Sequence, residues 1–214
     1  MKKIAIHQPN FLPWMGYFEK ARRVDEFVFL DHVPFSKGSY TNRVRYFCKS
    51  SLEIKWLTIP VKNSPLGTPI NQIELSQTKD WESKIIHTIK QNMDSTVTSE
   101  IVDKIQNRTT EKLVDLNISL IEILMRHLEV SVKCLKSSEM NLPHSSEQEV
   151  LKISELLDAS HYISGKGGEN YLNNGAFAQR GIDVEILNFK DKVLSRGIME
   201  EDEVSLSAVY ALKV

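Results

Sequence analysis

The chain has 214 residues, 41% of them hydrophobic and 26% charged, and 27 basic against 28 acidic side chains leave a net charge of −1. That is enough chain for one elaborated domain, residues 1–214, to bury a core without disulfide or metal staples, while a charge near zero gives no broad electrostatic footprint for nucleic acid. No apolar run reaches the ~18 residues of a membrane helix, the start turns polar at His7-Gln8, and Cys48 and Cys134 stand too far apart in sequence for a metal or disulfide pattern, so we expect a cytoplasmic protein with idle thiols, no membrane span and no nucleic-acid partner.

Taken in order, Lys3–Ile6 is a short strand closed by the turn formers His7-Gln8-Pro9-Asn10. A helix follows from Pro13 to Val24, with Trp14, Phe18 and Ala21 on its apolar stripe and Glu19, Lys20, Arg22 and Arg23 elsewhere. Pro13 suits its first turn, where a missing N–H costs nothing. The continuous apolar run Phe27–Leu30 is a strand covered on both faces, and strand, helix and strand together make a βαβ unit. Residues Asp31 to Ser51 show little periodicity and are read as a long functional loop. Trp56–Ile59 is a third strand stopped by Pro60, and Ile70 to Leu75 an edge strand. The middle is helical: Trp81, Ile85, Ile86 and Ile89 mark one helix with Asp80 as N-cap, and Leu113, Leu116, Leu120, Leu124 and Leu128 another, with Thr109 or Thr110 as its cap. Strands at Ser131–Leu135, His161–Ser164 and Asp183–Leu187 alternate with a helix at Glu149–Leu157 capped by Ser145 or Ser146. Leu206–Leu212 reads as a terminal helix. This alternation predicts a single α/β domain with a mostly parallel central sheet and a helical middle segment.

Ligands of open parallel sheets bind at the carboxyl ends of the strands. That rule picks out the segments after the first two strands, the Ser137-Ser138-Glu139 loop, and Ser164 with Gly165-Lys166-Gly167-Gly168. His7, one residue past a strand end, is a candidate base or hydrogen-bond donor if its pKa stays near neutrality; the alternative is a strand-end histidine bonded to backbone. Asp31, at the end of a buried strand, is placed to orient His7, act as a base, hold a metal or cap its loop. Ser36, Lys37, Asn42, Arg43 and Arg45 gather cations and hydrogen-bonders, and Arg43 and Arg45 share one side of an extended segment. Paired guanidiniums suit a phosphate or carboxylate. The glycine turn at 165–168 fits a weak anion cradle but matches no Walker or dinucleotide pattern. Asn107-Arg108-Thr109 and Asn117-Ile118-Ser119 fit the glycosylation pattern by chance.

As a set, Ile6-His7-Gln8-Pro9-Asn10-Phe11-Leu12-Pro13-Trp14 with Gly16-Tyr17-Phe18, Asp31 with Phe35-Ser36-Lys37, Asn42-Arg43, and Trp56 to Val61 resemble the WbqC-like protein family. So do Tyr162-Ile163-Ser164-Gly165, Tyr171-Leu172 and Gly181 to Val184. The resemblance runs over essentially the whole chain. It departs at Gly38 and Tyr40, where Arg and Trp are expected, at His32 in place of a second acid, and at the Gly167-Gly168 pair. Membership implies an association with bacterial polysaccharide and O-antigen gene clusters, with glycine transfer onto a sugar as one suggested activity. On that reading Gln8, Asn10, Ser164, Gly165 and Tyr171 join the substrate contacts, and Phe11, Trp14 and Tyr17 stack on a sugar or base. The partner is a nucleotide-linked sugar or glycan precursor, and the co-reactant is ATP or an activated acyl donor. A fainter likeness, in topology alone, is to the nucleotidyltransferases of the HIGH-motif superfamily, whose two motif histidines would fall on Trp14 and Tyr17. Three activities follow: acyl or aminoacyl transfer, nucleotidyltransferase-like sugar activation, or non-catalytic binding within a polysaccharide locus.

Overall fold

The computed structural model describes residues 1–78, 80–140, 142, 149–170, 172–189 and 205–212. Five strands form its main sheet: β1 (Lys3–His7), β2 (Glu26–Phe29), β5 (Lys133–Lys136), β6 (His161–Gly165) and β7 (Asp183–Leu187). Every pairing among them is parallel, in the order β5-β2-β1-β6-β7. The chain therefore steps outward from β1 to β2 and β5, then returns across β1 to build β6 and β7 on its other side. A topological switch point lies between β1 and β6.

Alternation along the strands explains why both faces of this sheet are covered. Ala5, Phe27 and Phe29 point into one core with the helices α1 (Met15–Arg22), α2 (Trp81–Asn92), α3 (Thr98–Gln106) and α4 (Leu113–His127). Ile4, Ile6 and Val28 point into a second core with α5 (Glu149–Leu156) and α6 (Asn174–Ala178). The expected sheet, its parallel sense and the helical middle are all present, with strand ends moved by one or two residues.

Several expectations are corrected. Six residues of the supposed loop 31–51 are a strand: β3 (Arg43–Cys48) pairs antiparallel with β4 (Glu53–Thr58) as a hairpin outside the main sheet. Its alternation is obscured because Arg43 and Arg45 occupy one face with aromatic and polar partners instead of a core. The segment 70–75 is a 3₁₀ turn at Ile70–Gln72 followed by isolated bridges at Glu74 and Leu75, since the Gln72 and Ile73 N–H groups bond back to the Pro69 and Ile70 carbonyls and are lost to a strand ladder. Pro13 stands outside α1, whose N-cap is Trp14. Asp80 caps α2 in position but makes no side-chain capping bond. Lys112, not a threonine, is the N-cap of α4; Thr110 instead accepts the Lys112 N–H and donates to Asp115. α3 and α6 went unforeseen. The terminal helix is a 3₁₀ turn at Ala208–Ala211, and the proposed caps Ser145 and Ser146 lie outside the described residues.

The helical layer positions the ligand edge of the sheet through one buried side chain. Asn117 of α4 donates from Nδ2 to the carbonyls of Pro9 (2.8 Å) and Thr41 (2.7 Å). The loop after β1 is thereby fastened to the loop before β3, a junction reinforced by Phe11 N–H to the Tyr40 carbonyl at 3.0 Å and Thr41 Oγ1 to Gln8 Oε1 at 3.2 Å. The same burial disposes of Asn117 as a glycosylation acceptor.

Candidate active site

A cavity of about 590 Å³ opens at the carboxyl ends of the strands beside the switch point. From β1 and its loop come Ile6, His7, Gln8 and Asn10; from the start of α1 come Trp14, Gly16, Tyr17 and Lys20. Ser39 and Tyr40 reach it from the loop before β3. The far wall is Ser164 and residues 165–168 after β6, with Leu187, Asn188 and Phe189 after β7. Among the described residues that line it there is no Asp or Glu, whereas His7, Lys20 and Lys166 are all present.

His7 sits on the cavity floor, with Trp14 and Tyr17 edge-on to its ring at 5.7 and 4.8 Å. Its Nδ1 lies 3.1 Å from the Gln8 carbonyl oxygen. A carbonyl only accepts, so Nδ1 carries the proton and Nε2 is the unprotonated nitrogen. Burial and then the Lys20 charge push the imidazole pKa down to about 3, against a smaller opposing effect of the Gln8 bond. The near-neutral pKa expected for His7 is thus corrected: the ring is neutral across the physiological range.

Lys20, which the sequence pattern sets off the apolar stripe of its helix, is turned inward and only 3% exposed. Its Nζ donates to the carbonyl of Ile6 at 3.2 Å and stands 5.9 Å from the Phe27 ring centre. Burial lowers its pKa to about 7. Lys20 follows Tyr17 by three positions and so shares its face, but it is the packing of α1 against the sheet that turns that face inward. Burial likewise pushes the Tyr17 phenol well above its usual value, so it remains a neutral donor, here 3.4 Å from the Gln8 carbonyl. Asn10, 3% exposed, lines the same cavity, and its side-chain amide makes no hydrogen bond among the described residues.

Two glycines are required by close approach. A Cβ on Gly168 would fall 2.1 Å from Ser164 Oγ, and one on Gly16 would fall 2.9 Å from Trp14 Nε1. Both glycines line the cavity, so a side chain at either would displace the wall itself.

Of the residues singled out from sequence, His7, Gln8, Asn10, Trp14, Tyr17, Ser164 and Gly165 come together here. Tyr171 lies outside the described residues. The others are elsewhere. Phe11 is buried in the core, and Asn42 spends its amide on the backbone, accepting from Gly38 N–H and donating to the Ile59 carbonyl. Ser36 and Lys37 do not line the cavity. Arg43 stacks on Trp56 with its guanidinium carbon 4.0 Å from the ring centre, and Arg45 donates to Ser205 Oγ at 2.7 Å. Neither arginine lines the cavity, although a train of rings connects them to it. Trp14 and Tyr40 are 5.2 Å apart, Tyr40 and Trp56 5.4 Å, and Trp56 is 42% exposed.

Asp31 does not orient His7. Its buried carboxylate accepts from Ser137 Oγ (3.0 Å), Ser138 N–H (2.8 Å) and Ser138 Oγ (2.7 Å). His32 completes a cluster, with Nδ1 2.6 Å from Ser137 Oγ and Nε2 3.2 Å from Glu149 Oε1. The serine–histidine–carboxylate order suggests a nucleophile, but Ser137 is 1% exposed and is also engaged by the Asp31 N–H. The cluster latches the ends of β2 and β5 to α5.

The family model described as the WbqC-like protein family matches residues 8–196. An "Uncharacterized protein Rv1507c" of Mycobacterium tuberculosis (strain ATCC 25618 / H37Rv) is 27% identical over 190 residues, covering 86% of this chain and 81% of that protein. No solved structure matches the chain significantly.

Proposed function

The chain belongs to the WbqC-like protein family, and from that premise we propose an enzyme of bacterial surface-polysaccharide synthesis that transfers an acyl or aminoacyl group, such as glycine, to an amino or acidic sugar. One observation carries this reading. The cavity lies at the switch point of a parallel sheet, where small-molecule sites occur, and its lining combines basic and donor groups with aromatic rings and, among the described residues, holds no acid. Such a lining favours a small anionic ligand with a ring face, as in a nucleotide-linked sugar. The train from Trp14 through Tyr40 to Trp56 offers stacking surface for the part of that ligand too long for 590 Å³.

Amide formation needs an acyl group already activated, as an acyl phosphate or adenylate made with ATP, or as a carrier thioester. The sugar amine attacks the acyl carbon, a C–N bond forms, and the bond to the phosphate, nucleotide or thiolate breaks with its electron pair. The proton shed by the amine goes to Nε2 of His7, the unprotonated ring nitrogen, which the Gln8 carbonyl holds in that tautomer. Positioning comes from the short Gln8-Pro9-Asn10 turn, where Pro9 fixes its own φ and biases Gln8 toward extended geometry.

The test is mass spectrometry of nucleotide-linked amino and uronic sugars incubated with the protein, ATP and glycine. The expected result is a product heavier by one acyl residue, with turnover lowered ~10²–10⁴-fold in His7→Gln, the usual contribution of a general base. Absence of any product with every donor and acceptor overturns the reading. A second reading, sugar activation by nucleotidyl transfer, is favoured by the strand order and the position of the cavity. Its signature is pyrophosphate release with no acyl transfer.

A further inference from the structure

We propose that the inner end of the switch-point cavity is an anion subsite in which the Lys20 ammonium, beside the Asn10 amide, seats a carboxylate or phosphoryl group of the substrate. The inference rests on reading this cavity as the substrate site. It begins from an imbalance. Buried cations are ordinarily paired, because desolvating an ammonium costs several kcal/mol. Lys20 lines the cavity, is 3% exposed, and among the described residues has no carboxylate within ion-pair distance; its one hydrogen bond is to the neutral carbonyl of Ile6. The Glu26 carboxylate, on the adjacent strand, is held by Lys2 and Lys133 at 2.8 Å each. Asp31, at the end of that strand, is occupied by the two serines.

A second observation is independent of charge. Asn10 is as deeply buried as Lys20 overall and lines the same cavity; its amide makes no hydrogen bond to a described residue, and its polar atoms are not among the fully buried ones left unpaired, so they keep some accessible surface. The amide is thus available to a ligand in the cavity. An oxyanion satisfies both groups at once, accepting from Nζ and from Nδ2.

The titratable groups around Lys20 agree with this assignment. Tyr17 on its own helix stays a neutral donor. His7 on β1 stays neutral partly because the Lys20 charge opposes its protonation. Cys134 on β5, near Tyr17, is pushed up to about 11 by burial and so carries no charge. Lys166 on the opposite wall adds a second cation. Among the described residues that line the cavity, no carboxylate competes with the ligand. Lys20 itself titrates near neutrality in the free protein, and an anion beside it favours the charged form, so seating the ligand draws a proton onto Lys20. The anion's own charge offsets the Lys20 charge that opposes protonation of His7, making that ring a better base when substrate is bound.

Protein labelled at the lysine ε-carbon, in Tris buffer at pH 7.5, is titrated by NMR with glucuronate, glucose 6-phosphate, inorganic phosphate and glucose. The expected result is saturable movement of the Lys20 signal toward the ammonium form with at least one anion, and none with glucose. Glucuronate alone identifies a carboxylate as the seated group; glucose 6-phosphate or phosphate identifies a phosphoryl group. Lys20→Met and, separately, Asn10→Ala, each with a wild-type circular dichroism spectrum, should weaken that binding ~10-fold or more. Silence of the Lys20 signal with all three anions, an equal response to glucose, or undiminished binding in both variants overturns the assignment. The outcome is separable from the acyl-transfer reading. Anion seating without product formation sinks that activity alone, whereas product formation by Lys20→Met with an unchanged KM sinks the subsite alone.

Discussion

Lys20→Met provides the sharpest physical test, because an amine buried without a counter-charge must weaken the fold in a pH-dependent way. Its pKa is 10.5 when unfolded and about 7 when folded, and each tenfold change in proton affinity is worth about 1.4 kcal/mol, so burial of the charge costs at most ~5 kcal/mol. Below pH 7 both states hold the proton and the full cost applies. Between pH 7 and 10.5 the unfolded chain holds more protons than the folded one, so stability rises with pH. Methionine keeps most of the stem and removes the charge, but it forfeits the 3.2 Å bond to the Ile6 carbonyl, a loss of about 1 kcal/mol. Water in the cavity reduces the charge cost further, leaving an expected gain of about 2–3 kcal/mol for the variant at pH 6–7. Urea unfolding of both proteins at pH 6, 7.5 and 9, in buffers free of phosphate and carboxylate, measures it. Tyr17 and Cys134, whose pKa values burial raises, affect both proteins alike and cancel in the difference. The gap between the two should narrow as pH rises. Parallel stability curves, or a variant less stable at every pH, would refute the claim that Lys20 is an unpaired buried cation.

Asn117→Ala removes the two donated bonds to Pro9 and Thr41 and strands two inward-facing carbonyls; we expect a loss of about 2–4 kcal/mol in urea unfolding and faster amide exchange in residues 8–13 and 36–42. A change below about 0.5 kcal/mol, within the range of ordinary surface substitutions, would show that these loops are held by something else. Asp31→Asn keeps the shape but turns an acceptor of three hydrogen bonds into a mixed group, and should lower stability by about 2–4 kcal/mol. Turnover of the folded fraction should stay within a few-fold of wild type; collapse of turnover at unchanged stability would return Asp31 to the chemistry.

The sheet was legible because its strands obey simple rules. Phe27 to Leu30 is apolar without alternation, as a strand covered on both faces must be, and the βαβ spacing around it fixes a parallel neighbour. The site was legible in part for the same reason: knowing that β1 and β6 are parallel brings His7, Gln8, Asn10, Ser164 and Gly165 to one edge. What failed was the inference from charge to place. Arg43 and Arg45 do alternate on an extended segment, but that segment is a hairpin strand, where a cross-strand tryptophan and a serine from the carboxyl-terminal turn take the guanidiniums. Lys20 failed in the opposite direction. A lysine among charged neighbours reads as solvent-facing, and only the tertiary fact that α1 lies against β1 with its Tyr17 face inward reveals the buried amine.

These two errors share a physical origin that bears on function. A charged side chain that looks free in the sequence can be turned onto a partner far along the chain, as Arg45 donates to Ser205 across 160 positions, and it is then held outside the cavity. Conversely, a cation that no protein group compensates retains its affinity for an anion in full, at the expense of the fold's stability. The chemistry therefore concentrates where compensation is missing rather than where charge is dense. In this protein that place is the cavity, which an amine, a neutral imidazole and an amide with no partner among the described residues all line. The loops presenting the imidazole and the amide are tied to α4 through Asn117, so α4, none of whose residues lines the cavity, keeps the site's donors in register. Substrate binding then does what no side chain of the protein does: it supplies the missing negative charge, and with it the basicity that His7 lacks in the free protein.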